Sequence, residues 1–230
     1  MNQQEIDQTL QSLGGVVYST RETLMSSYEV AKLIAQNNVD GAVIECGVAS
    51  GGNFGSMMCG ILAVEPTTNR TFYGFDSFVG IQLAGKKDTV QAGIGEITHD
   101  VNVPDADLLV SSGITVHSKI NLESSLNLWG LKGRCKIELV EGWVQNTITQ
   151  EVANEIGNIA ILRLDMDVYS PTMHTLEMLY DNVSIGGAII IDDWGLVGVQ
   201  RAVQEFWAMR NIEPEIIHID NSDPIYWFKK

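Results

Sequence analysis

The stretch Ala42-Val43-Ile44-Glu45-Cys46-Gly47-Val48-Ala49-Ser50-Gly51-Gly52-Asn53-Phe54-Gly55 decides the fold. It opens as a short apolar run, passes through closely spaced glycines, and leads into residues 57–64, whose composition predicts a helix. Strand, glycine-rich turn and helix form the first unit of a doubly wound α/β sheet. Glycines at such a turn let the backbone approach a ligand and present helix N-terminal amides to it. Ala49 stands where a dinucleotide fingerprint anchored at Gly47 needs its second glycine, and no phosphate-loop lysine follows. What remains is Glu-x-Gly-x-x-x-Gly-Gly.

Working outward, further strands are predicted over 71–75, closed by Asp76, and over 135–140, 159–164 and 188–191. Helices are predicted over 20–36, with Ser19 or Thr20 as its cap, over 173–182, and over 197–210. Residues 184–187, Ser-Ile-Gly-Gly, suggest a turn into the strand that follows, and 215–219 with 225–228 suggest a terminal hairpin. The expected architecture is Rossmann-like α/β, with about seven strands, parallel except at the terminal hairpin, and helices on both faces. Residues 1–40 form an N-terminal helical segment. Residues 77–116 break the rhythm with five glycines (Gly80, Gly85, Gly93, Gly95 and Gly113) and the Lys86-Lys87 pair, and are expected to form a long loop, a lid or substrate loop.

At 230 residues and 45% hydrophobic content, the chain supports one domain, 1–230. Fourteen lysines and arginines against 29 aspartates and glutamates give a net charge of −15, which opposes binding to nucleic acid or to anionic membrane surfaces. Cys46, Cys59 and Cys135 are odd in number and lack C-x-x-C spacing, which fits a reduced, cytoplasmic setting. Residues 1–13 lack the basic start and apolar stretch of a secretory signal, and no later run has membrane-spanning length.

Chemistry enters through two acidic clusters. Asp165 and Asp167 follow one apolar strand, and Asp192-Asp193 follow another. Ligands of open α/β sheets bind outside the carboxyl ends of strands, and carboxylates crowded there call for a cation. Asp165, Asp192 and Asp193 are hard oxygen ligands suited to Mg²⁺, Mn²⁺ or Ca²⁺ rather than to a thiolate-bound zinc. Asp167, two residues past Asp165, is a candidate general base. The competing structural readings are a helix cap for the Asp pair and a solvated loop for Asp167. Asp76 can accept hydrogen bonds from both ribose hydroxyls of a nucleoside, or it can cap a loop. His99, His117, His174 and His218 show no ligand spacing; His174 could face the site, but a surface or packing role is the favoured reading. Trp143 and Trp194 each follow a strand end, where a ring could cover adenine or substrate.

Five ordered blocks resemble the macrocin O-methyltransferase family. They are residues 43–52, Tyr73-Gly74-Phe75-Asp76-Ser77-Phe78-x-Gly80, Val140-Glu141-Gly142-Trp143 through Thr147, Leu162-Arg163-Leu164-Asp165-Met166-Asp167-Val168-Tyr169-Ser170, and Gly186-Gly187 through Asp192-Asp193 with Arg201-Ala202-Val203. The resemblance implies a class I S-adenosylmethionine-dependent fold that methylates sugar hydroxyls of antibiotics and related glycosides with Mg²⁺. It implies that Glu45, Gly47 and Gly51 shape the methionine side of the cofactor pocket, that Asp76 with Ser77 meets the ribose, and that Gly142, Trp143 and Gln145 lie at the adenine. It further implies that Asp165, Asp192 and Asp193 hold the metal, that Asp167 is the base, and that the chain forms a homodimer. Met166 departs from the family's usual glycine, and Ile81-Gln82-Leu83 replaces its Leu-Pro segment, so the acceptor does not carry over. The rivals are a metal-dependent hydrolase of phosphate or acyl esters and a non-catalytic cofactor-binding protein.

Overall fold

In the computed structural model, which describes residues 1–14, 19–88 and 109–230, strand β1 is Ala42–Cys46, and all five of its side chains are buried. Before it come helices α1 (Gln3–Leu13) and α2 (Arg21–Gln36), and after it α3 (Gly52–Val64) and β2 (Thr71–Asp76). Then follow α4 (Lys119–Leu128), β3 (Lys136–Glu141), α5 (Val144–Thr147), α6 (Gln150–Ile156), β4 (Ile159–Leu164) and α7 (Tyr169–Leu179). The chain closes with β5 (Val183–Ile191), α8 (Val197–Arg210), β6 (Ile217–His218) and β7 (Ile225–Phe228). Residues 89–108, the middle of the expected lid, lie outside the described residues, and His99 with them.

The seven strands form one sheet in the order β3-β2-β1-β4-β5-β7-β6. β1 pairs in parallel with both β2 and β4, and β5 continues in parallel, whereas β7 runs antiparallel to β5 and to β6. This is the expected α/β architecture with its terminal hairpin. A fully buried parallel strand needs cover on both faces. Val43 packs with Tyr28, Ala31, Phe54 and Met57 of the α2–α3 layer, while Ile44 and Leu162 pack with Met173, Leu176 and Phe206 of the α7–α8 layer. α2 is started by Thr20, whose hydroxyl accepts from the Thr23 N–H at 3.2 Å. α1 is started by a reciprocal pair, in which Asn2 accepts from the Glu5 N–H at 2.9 Å and Glu5 accepts from the Asn2 N–H at 2.7 Å.

Several boundaries differ from the sequence expectation, among them α3, which starts at Gly52 rather than at 57. β5 begins at Val183, so the Ser-Ile-Gly-Gly segment lies inside the strand rather than in a turn. The reason is non-local: Gly186 N–H donates to the Lys229 carbonyl at 2.7 Å, and Lys229 N–H to the Gly187 carbonyl at 2.9 Å. α7 begins at Tyr169, four residues before the expected 173, because Pro171 falls in the first turn, where a missing N–H costs nothing. Among the described residues no helix is long and apolar enough to cross a membrane.

The tip of β1 is a point of very close approach in the sheet. Gly47 has φ +85°, and a Cβ on it would lie 1.6 Å from the carbonyl oxygen of Asp165. Only glycine lets the β1 and β4 tips meet this way. Gly47→Ala should lower stability by about 3 kcal/mol or more, read as a drop in the urea midpoint at constant slope.

Candidate active site

The sheet order reverses between β1 and β4, and the crevice above their carboxyl ends is where an open α/β sheet binds its ligands. A cavity of about 240 Å³ lies there. The strand ladder continues one bond beyond each tip: Gly47 N–H donates to Phe75 O, Asp165 N–H to Cys46 O, Asp192 N–H to Leu164 O, and Gly142 N–H to Asp76 O, at 2.8 to 2.9 Å. Site residues therefore hang from the sheet itself rather than from free loops. Of the residues expected at the cofactor, Glu45, Gly47, Asp76, Ser77, Gly142, Trp143 and Gln145 all line this cavity. So do the four aspartates, Asp165, Asp167, Asp192 and Asp193.

Gly51 stands apart from this wall. It precedes α3 in the left-handed region at φ +88°, and a Cβ there would lie 2.3 Å from Leu122 Cδ1. Its place is in the turn and in packing against α4. Trp194 also lies off the cavity, against Trp207 with ring centroids 5.8 Å apart. The His174 ring nitrogen lies 2.9 Å from the Ile148 carbonyl oxygen, a packing role.

On the side of β2, Asp76 accepts from the Ala49 N–H at 2.8 Å and from the Phe78 N–H at 2.7 Å, one bond to each oxygen. Burial raises its pKa, against the pull of these backbone bonds. Each oxygen keeps a lone pair for a further donor. Gln145 donates to Gln82 Oε1 at 2.6 Å, which leaves Gln145 Oε1 and Gln82 Nε2 buried and without a hydrogen-bond partner among the described residues. An unpaired acceptor beside an unpaired donor suits the edge of a purine, which offers an amine next to a ring nitrogen.

The acidic side is organised by a residue to which the sequence reading gave no role. Arg163 is wholly buried in β4, directly opposite Glu45 in the register with β1. Its Nη1 lies 2.9 Å from Asp165 Oδ2 and 3.5 Å from Glu45 Oε1, and its Nη2 bonds Asp192 Oδ1. Burial works against its charge, but Asp192, Asp165 and Glu45 outweigh that and raise its pKa. The signal was present in the sequence: a glutamate and an arginine each interrupt an apolar run, and neither could be buried without the other.

The remaining carboxylates cluster. Asp165, Asp167 and Asp193 each place one oxygen within 4.8 Å of the others. Asp167 has φ +65°, which turns its N–H onto Asp193 Oδ2 at 2.9 Å. The grouping differs from the expected one, since Asp167 stands within the cluster while Asp192 pairs with Arg163. Burial raises the pKa of Asp167 to about 7, with the Asp192 charge adding to it. Asp165 and Asp193 are raised well above the carboxylate range, by burial first and then by neighbouring aspartates. Glu45 is pushed up to about 8 by burial, which outweighs the attraction of Arg163.

The strand order and the site at its switch point define a class I methyltransferase, and solved structures agree. The chain superposes on the O-methyltransferase NovP with a TM-score of 0.77 at 25% identity, over 98% of each chain. It superposes on CalS11, a calicheamicin methyltransferase, with a TM-score of 0.69 at 19% identity, over 98% of this chain and 91% of that one. Residues 16–229 match the model of the macrocin-O-methyltransferase (TylF) family, and the chain belongs to that family. It is 31% identical over 194 residues to a demethyldecarbamoylnovobiocin O-methyltransferase of Streptomyces niveus, covering 83% of this chain and 67% of the relative. It is 29% identical to the mycinamicin III 3''-O-methyltransferase of Micromonospora griseorubida, covering 84% and 70%. The protein is thus an S-adenosylmethionine-dependent O-methyltransferase, and the hydrolase and non-catalytic readings fall away.

The raised carboxylates have a consequence for stability. Unfolded, Glu45 ionises near 4.5; folded, it keeps its proton until about 8. Between those values the folded state binds the extra proton, so stability falls as pH rises. The thermal midpoint of the ligand-free protein should drop from pH 5 to pH 8, and Glu45→Gln should flatten that slope.

Proposed function

We propose that the enzyme transfers a methyl group to a sugar hydroxyl of a glycosylated natural product, with Mg²⁺ as a second cofactor. The observation that carries this is the gathering of Asp165, Asp167 and Asp193, with Asp192 beside them, at the edge of the cofactor cavity. These residues fit a hard divalent cation: the cluster offers carboxylate oxygens alone, with neither thiolate nor imidazole among its members. Asp165 and Asp193, both in the cluster, would hold the ion, with Asp192 beside them as the third ligand that the family resemblance implies. Bound, Mg²⁺ would orient adjacent acceptor oxygens and lower the cost of deprotonating the one that attacks.

The chain's own residues would do the rest. Glu45 Oε2 is buried, borders the cavity and has no hydrogen-bond partner among the described residues, so it can accept from the ammonium of the methionine moiety. Asp76 would take the ribose, while Gln82 and Gln145 would take the adenine edge. Asp167, with its pKa near neutrality, would remove the acceptor proton. The bound cofactor supplies a sulfonium-activated methyl group, and the protein's contribution is to hold the acceptor oxygen in line with it.

A second depression of about 670 Å³ supports the sugar reading. It shares Ser19, Asp192 and Asp193 with the cofactor cavity and is otherwise walled by Thr20, Thr23, Asn221, Ser222, Asp223 and Pro224. Thr23 and Ser222 hydroxyls meet at 2.6 Å, and Asp223 accepts from the Gly195 N–H at 2.9 Å, so the hairpin turn is fixed against α2 and the β5–α8 connection. Hydroxyls, an amide and carboxylates, with no lysine or arginine among the described lining residues, favour an uncharged, hydroxyl-rich acceptor. The acceptors named for the relatives support the same class, among them a rhamnosyl tetracenomycin derivative for a Streptomyces olivaceus enzyme that is 25% identical over 196 residues.

Calorimetry tests the reading. S-adenosylhomocysteine should bind both the wild type and Asp193→Asn, whereas Mg²⁺ should bind the wild type alone; cofactor binding without metal uptake by the wild type would overturn the metal assignment. Metal affinity should rise with pH through neutrality, because the ion displaces protons from Asp165 and Asp193, whose carboxyls burial raises well above the usual range, and the proton release should appear as a buffer-dependent binding enthalpy. In turnover with glycoside acceptors, Asp167→Asn should lower kcat by about 100-fold or more while leaving S-adenosylhomocysteine affinity within about 2-fold.

A further inference from the structure

Arg163 is the only buried lysine or arginine among the described residues, and its three partners belong to both halves of the site. Glu45, at the end of β1, borders the cofactor cavity; Asp165 and Asp192, just past β4 and β5, belong to the acidic side. Nη1 is shared between Glu45 and Asp165, at 3.5 and 2.9 Å, and Nη2 holds Asp192. A guanidinium is a rigid planar fork, so it cannot follow one carboxylate without shifting its bonds to the others. With no exposure at Arg163 and 2% at the Glu45 side chain, water is not at hand to replace a bond that is lost. Glu45 in turn has one oxygen committed towards Arg163 and one left over for a ligand.

We propose that Arg163 is a positioning residue that links the two halves of the site, so that filling the acidic side resets Glu45 and filling the cofactor side resets Asp165 and Asp192. The acidic half rests on the proposed metal reading; the cofactor half rests on the family's S-adenosylmethionine dependence. Linkage between two sites is reciprocal: each ligand must change the other's affinity by the same factor.

The test measures S-adenosylhomocysteine binding with and without Mn²⁺, and Mn²⁺ binding with and without S-adenosylhomocysteine. In the wild type the two factors should be equal and at least about 5-fold. Arg163→Lys keeps the charge but, with a compact ammonium in place of a fork, cannot hold all three carboxylates. The variant should unfold cooperatively and bind each ligand, with the mutual factor below about 2-fold. A wild-type factor below about 2-fold, or a factor preserved in Arg163→Lys, overturns the proposal, since a residue needed only for folding would move the unfolding midpoint and leave the linkage intact. Should Arg163→Lys not fold, Asp192→Asn serves instead. It removes the Nη2 partner and should weaken S-adenosylhomocysteine at least about 5-fold with no metal present, and unchanged affinity overturns the link. Failure of the wild type to take up Mn²⁺ would refute the metal reading separately, and the metal-free Asp192→Asn comparison would then decide on Arg163.

Discussion

A guanidinium without solvent exposure lies opposite a glutamate in the middle of the sheet, and the rest of the molecule is arranged around keeping that pair satisfied. Arg163 could not stay charged in such a place without Asp192, Asp165 and Glu45 around it, and leaving a buried charge without its partners costs about 3–5 kcal/mol. β1, β4 and β5 must therefore lie side by side and in register, because Glu45, Arg163 and Asp192 come from those three segments. A one-residue slip of β4 would bring an apolar neighbour opposite Glu45 and turn Arg163 to the other face of the sheet. The requirement that closes the sheet correctly also sets the floor of the active site.

The two sides of that floor are built differently. On one side Asp76 is anchored by the backbone N–H groups of Ala49 and Phe78, and Gln145 by the side chain of Gln82. The acidic side relies on charge, with carboxylates that burial has pushed towards protonation. Gly47 joins the two, since its missing side chain lets the backbone of Asp165 lie against the end of β1.

Much of this was legible in the sequence because its causes are local. The Val-Ile-Glu-Cys-Gly run carries its own strand and turn, and an aspartate closing an apolar run must emerge at the sheet's edge. The misses had distant causes. Residues 184–187 look like a turn until Lys229 supplies the partner that makes them strand. The clustering of Asp167 depends on its left-handed backbone, which nothing in Leu-Asp-Met-Asp announces. The space left by the missing side chain of Gly51 is taken by Leu122, 71 positions away, a contact no local pattern shows. The importance of Arg163 required knowing which strand lay beside its own.

The hydroxyl contact between Thr23 and Ser222 joins residues 199 positions apart and closes one wall of the groove beside Asp192 and Asp193. Neither residue belongs to a strand. The parts that would hold the donor are thus built into the sheet, whereas this wall is assembled from a helix start and a hairpin turn at opposite ends of the chain. Evolution can exchange such segments with little cost to the core, so a lineage could acquire a new acceptor by editing a few peripheral residues while inheriting its chemistry unchanged.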